Sequence, residues 1–99
     1  MGDRTGVAAS LNTLGNVAIE QGDYDAARTR HEESLAIARE LGDQGGIANS
    51  LLNLGVVADK QNDYPAARVL YDGCLAIRRR LGDQRGIAIS LNNLGNVAF

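Results

Sequence analysis

An all-α fold, a right-handed solenoid of antiparallel helix pairs, is what this sequence predicts, and three observations carry the prediction. Apolar residues recur at helical spacing, as at Val7, Leu11, Leu14 and Ala18. The chain repeats itself: residues 6–45 laid over 46–85 without gaps agree at 22 of 40 positions, and 86–99 begin a third copy. Strand signals are missing, with no period-2 run and no hairpin dipeptide between apolar runs. Two and a half copies make five helices in a single domain spanning residues 1–99, with repeats 6–45 and 46–85 and a partial copy 86–99. A helix pair of this size cannot bury its apolar stripe alone, so the copies must stack.

The first helix is expected over 4–19, with a core stripe centred on Leu11, Leu14, Gly15 and Ala18. It stops at Gln21-Gly22, where glycine can take the left-handed conformation that closes a helix. Asp23 offers an N-cap carboxylate, and a second helix over 24–41 carries Tyr24, Ala27, His31, Ser34, Leu35, Ala38 and Leu41. Gly42-Asp43 closes it and caps a third helix over 44–60. The fourth, over 64–81, opens with Pro65 in a first turn where a missing N–H costs nothing. Gly82-Asp83 then leads into a fifth over 84–98. Gly15, Gly55 and Gly95 stand inside first helices. A mid-helix glycine costs about 1 kcal/mol against alanine, so one per copy points to a close helix crossing.

Composition excludes several functions. Ten Lys+Arg against twelve Asp+Glu leave a net charge of −2, without the basic field that a nucleic acid or an anionic membrane would need. No apolar run reaches the roughly 20 residues of a membrane span. The start Met1-Gly2-Asp3-Arg4 has no hydrophobic stretch of a signal peptide, and one cysteine, Cys74, allows no internal disulfide. A reducing, cytoplasmic setting is the expectation.

The pattern L-x-x-L-G-x-x-A…G-D-Y-x-A-A…S-L-A-I…L-G-D resembles the tetratricopeptide repeat. Leu14-Gly15, Gly22, Tyr24 and Ala27 fit that family's signature in the first copy, Leu54-Gly55, Tyr64 and Ala67 in the second, and Leu94-Gly95 in the third. The 40-residue period with its Leu-Gly-Asp-Gln junction is similar to the subtype of kinesin light chains and bacterial signalling proteins. Leu11, Leu51 and Leu91 stand where the family often has Trp, and Ala18, Ala58 and Ala98 where Tyr is common, which thins the core. Ser34 and Cys74 replace a usual small alanine.

No constellation for catalysis emerges. The one histidine and one cysteine, His31 and Cys74, occupy packing positions on different second helices, and the sequence has neither metal-ligand spacing nor a Walker loop. The expectation is no enzyme, no metal and no cofactor. Glu32, Glu33 and Glu40 beside Arg28 and Arg39 read as surface pairs at i,i+4. Arg78-Arg79-Arg80 with Arg85 suit a helix C-terminus, where the macrodipole favours cations.

The resemblance implies a binding role. In similar proteins the side of the first helices opposite the core lines a concave groove that grips a peptide. Here that groove would comprise Asn12, Asn16, Asn49, Leu52, Val56, Asn92 and Asn96, with Asn53 and Asn93 at its flank. Asparagine suits a peptide backbone because its amide both donates and accepts. The lysines that some relatives use for a terminal carboxylate have no match, since Asn12, Leu52 and Asn92 hold those sites. The expected activity is a non-catalytic protein- or peptide-binding scaffold. The alternative is a structural spacer or self-association module of a larger signalling protein.

The chain stops within its third copy, which suggests a fragment of a longer array. The fifth helix would lack its partner, leaving Ile87, Leu91, Leu94, Val97 and Phe99 as an apolar patch for self-association as a homo-dimer. Residues 1–45 carry eight acids and four Arg (−4), residues 46–99 four acids and six bases (+2), so head-to-tail contact is the other geometry.

Overall fold

A computed structural model describes residues 4–97. Five α-helices follow one another: α1 Arg4–Glu20, α2 Tyr24–Leu41, α3 Gln44–Lys60, α4 Tyr64–Leu81 and α5 Gln84–Asn96. Each packs on its neighbour in sequence, and α1 also touches α3, as stacking of successive hairpins requires. The expected helices match these to within a residue except the last, which ends at Asn96. Val97 turns extended there (φ −70°, ψ 123°). Ala98 and Phe99 lie outside the described residues.

Local chemistry sets the boundaries. Asp23 and Asp63 accept from the N–H of Ala26 (3.2 Å) and Ala66 (3.3 Å), while Asp43 and Asp83 accept from Gly46 and Gly86 (3.0 Å each). These contacts satisfy donors that the first helical turn leaves open. Gly42 and Gly82 sit at φ +67° after α2 and α4, and the next N–H reaches back to the carbonyl of Ala38 or Arg78. At the equivalent turn after α3, Asn62 replaces Gly22 and still adopts φ 65°, with the Tyr64 hydroxyl donating to its side-chain oxygen at 2.8 Å.

The core is a chain of small clusters at helix junctions: Ala18, Ala27 and Val57; Ala48, Cys74 and Ile77; Ala67, Tyr71 and Val97. Within each hairpin a ring lies on a glycine. A Cβ on Gly15 would stand 2.5 Å from His31 Nε2, and one on Gly55 2.5 Å from Tyr71 Cε1. The repeated glycine thus marks the close crossing that its position predicts at Gly15 and Gly55, whereas at Gly95 no atom of the described residues stands within 4 Å of the Cβ position.

The structure corrects the expected stripe. Gly15 and Ala18 are buried and Leu11 half-buried, but Leu14 is 54% exposed, whereas its counterpart Leu54 is 8% exposed. The difference is one of position, because α2 covers α3 at Leu54 and no described helix covers α1 at Leu14. Val7 and Leu41 are also exposed. The surface pairs differ too: Glu33 pairs with Arg30 at i,i+3 and Glu40 with Arg4 on α1, while Arg28 reaches Asp25 and Gln61. Arg78 is held by Asp83 at 3.2 Å.

Candidate functional site

A cleft of about 190 Å3 opens between α1 and the start of α3. Thr5, Ala8, Ala9 and Asn12 form one wall, Asp43, Gly46 and Asn49 the other, and Ser34, Ala38 and Leu41 of α2 complete the lining. Two of the sequence-predicted groove residues, Asn12 and Asn49, therefore meet in one cavity. The α2 floor is fixed by buried polar contacts. The Ser34 hydroxyl donates to the carbonyl of Ala8 at 3.1 Å, and the Ser50 hydroxyl donates to Ser34 at 3.4 Å.

Asn12 is not a free amide. His31 Nδ1 lies 3.0 Å from Asn12 Oδ1. An amide oxygen only accepts, so Nδ1 carries the proton and donates. His31 is fully buried, and its Nε2, against Gly15, finds no partner among the described residues. Burial pushes this imidazole below its usual 6.5. Neutral His31 thus occupies one acceptor site of the Asn12 oxygen and fixes the amide, leaving its NH2 to donate.

The other predicted groove residues are distributed along the stack. Asn16, Asn92 and Asn96 are exposed, and Asn53 and Asn93 half-buried. Leu52 and Val56 are half-buried against the Ala67, Tyr71 and Val97 cluster. Thr5, Asp43 and Gly46 were missed by sequence reasoning. The Asn12–His31 link had left a signal in the repeat, because both positions change together, to Leu52 and Tyr71.

The expected self-association patch is reduced. Val97 is 1% exposed, buried against Ala67 and Tyr71, because α4 covers this side of α5. Ile87 and Leu94 are half-buried, Leu91 is 46% exposed, and Phe99 lies outside the described residues. A second cleft, of about 220 Å3, lies over Leu54 and Val57 between Arg28 and Glu32 of α2 and Asp63, Ala66 and Leu70. None of the predicted groove residues lines it.

Cys74 is buried with its Sγ 3.3 Å from Ser90 Oγ, a packing contact between α4 and α5. Among the described residues no three His, Cys, Asp or Glu side chains come together in a group that could hold a metal, and no helix is long and apolar enough to cross a membrane.

Stacked helical hairpins with a lined cleft and capped junctions define a helical-repeat solenoid, a class whose surfaces serve protein interaction. The tetratricopeptide repeat model matches residues 6–80, and the chain belongs to that family. Repeats of this family mediate protein–protein interactions and typically form non-catalytic scaffolds. No curated protein matches the chain.

Proposed function

We propose that this chain is a non-catalytic peptide-binding scaffold whose ligand lies along the face of α1, α3 and α5 that bears Asn12, Asn16, Asn49, Asn92 and Asn96. The observation that carries the reading is the cleft uniting Asn12 with Asn49, in which His31 fixes the Asn12 amide. Held this way, Asn12 offers N–H donors to a peptide carbonyl, a contact that is indifferent to side-chain sequence. Leu52 and Val56 supply an apolar floor beside it. A cytoplasmic setting and a place in a signalling protein belong to the same proposal, which takes Cys74 as a reduced, buried thiol. The test is affinity for a partner recovered by affinity purification of the full-length parent protein. Asn12→Ala or Asn96→Ala should weaken binding without changing helix content. Unchanged affinity across all the asparagine substitutions refutes the reading.

A second reading is self-association through α5, favoured by exposed Leu91 beside open Gly95. Light scattering coupled to gel filtration decides it: a monomer of 10.5 kDa at a concentration of about 100 μM overturns the dimer.

A further inference from the structure

The turn from α2 into α3 and the turn from α4 into α5 are built alike. Asp43 and Asp83 each accept the N–H of Gly46 or Gly86 on Oδ1. Each sets its second oxygen, Oδ2, above that glycine, where a Cβ would stand 2.6 Å from it at Gly46 and 2.5 Å at Gly86. One position beside them differs. At α4–α5 it is Arg78, whose Nη1 pairs with Asp83 Oδ2 at 3.2 Å. Its Cδ and Nε would stand 2.6 and 2.9 Å from a Cβ on Gly86, so the arginine stem lies directly over bare glycine backbone. The Arg78 side chain is 18% exposed and leaves Asp83 half-buried.

At α2–α3 the same position is Ala38, one repeat earlier. Ala38, Asp43 and Gly46 all line the cleft between α1 and α3, so the place that an arginine fills in the second copy is open in the first. Asp43 is exposed, is the only charged side chain in that lining, and makes no ion pair among the described residues. We infer that this cleft receives an arginine side chain of the bound peptide, its guanidinium on Asp43 Oδ2 and its stem over Gly46, a step that rests on the reading of the asparagine-bearing face as the peptide groove.

The lining suits that occupant. Ala8, Ala9 and Ala38 offer methyl groups to the apolar stem of the side chain. A guanidinium is planar, permanently charged and less strongly hydrated than an ammonium, which favours arginine over lysine in a partly enclosed slot. Asn12 and Asn49 stand in the same lining, where their amides meet the backbone that carries the arginine.

The probe is N-acetylarginine amide, titrated into the isotopically labelled chain and followed through the backbone amide NMR signals of Gly46 and Asn49. Saturable shifts are expected. Asp43→Asn, which keeps an N-cap side chain, should weaken them about tenfold or more. Ala38→Arg, which installs the side chain as the second copy has it, should abolish them. Arg78→Ala should open the matching place and add shifts at Gly86 that the parent chain lacks. N-acetylcitrulline amide, the neutral isostere, should leave Gly46 unmoved, and N-acetyl-lysine amide should bind more weakly. Absence of a saturable shift at Gly46, or shifts indifferent to both Asp43→Asn and Ala38→Arg, overturns the site. Equal binding of the citrulline or lysine compound overturns its guanidinium preference. The groove reading falls or stands separately. A recovered partner weakened by Asn12→Ala or Asn96→Ala but indifferent to Asp43→Asn and Ala38→Arg keeps the scaffold and overturns the arginine. Probe binding at Gly46, with the partner indifferent to every asparagine substitution, does the reverse.

Discussion

Replacing Gly55 by alanine should destabilise the protein although alanine is the better helix former. In the interior of α3 the substitution gains about 1 kcal/mol of helix propensity. Against that, the new Cβ would stand 2.5 Å from Tyr71 Cε1, 2.7 Å from Cδ1 and 3.1 Å from Cζ. Tyr71 is fully buried and clustered with Ala67 and Val97, so the ring has no free space into which to turn. Relief must come from separating α3 and α4, and overpacking of this kind costs about 1–3 kcal/mol beyond what the site can absorb. Because the ring is fully buried the cost falls at about 2–3 kcal/mol, so a net loss of about 1–2 kcal/mol is expected, which lowers Tm by about 4–8 °C per kcal/mol in a domain of this size. Gly95→Ala is the internal comparison. No atom of the described residues stands within 4 Å of its Cβ position, so propensity acts alone and stability should hold or rise. Urea unfolding followed by far-UV circular dichroism measures both. A Gly55→Ala protein as stable as the parent, or a Gly95→Ala protein destabilised as much, refutes the ring-on-glycine reasoning.

Stability should fall as the pH drops below 6.5, because the unfolded chain binds a proton that buried neutral His31 resists. Above 6.5 this contribution is complete, and it is lost progressively toward the lowered folded-state value. His31→Tyr, which copies the arrangement at Tyr71, should flatten urea midpoints between pH values of about 7.5 and 5.5, and an unchanged slope refutes the assignment. Asp43→Ala removes the acceptor for Gly46 N–H and should cost about 1 kcal/mol, read as a lower urea midpoint. Val97→Ala, which empties part of the pocket against Ala67 and Tyr71, should cost about 1–2 kcal/mol; Leu91→Ala, although a larger truncation, should cost less because half of Leu91 already meets solvent. The reverse order in denaturant unfolding would show that α5 is not seated as described.

The sequence by itself determined what is local and what repeats. Helix boundaries follow from Asp23, Asp43, Asp63 and Asp83 at N-caps and from glycine at helix ends, because caps act over three or four residues. Burial of Ala27, His31, Ser34, Leu35 and Ala38 follows from helical spacing. The glycine in each copy pointed to a close crossing, and the structure supplied the ring that fills it. Only the tertiary structure decided exposure at identical positions in successive copies. Leu14 and Leu54 hold the same position in successive copies, each followed by glycine, and have opposite fates, because burial depends on whether another helix lies across them, and α2 lies across Leu54 alone. Val97 looked like surface from its place in an unpaired helix, yet α4 already covers its side. The bond from His31 to Asn12 joins residues on two helices, and that contact exists only once the hairpin has closed. A repeat fixes the faces of each helix, and stacking selects which of those faces meets water.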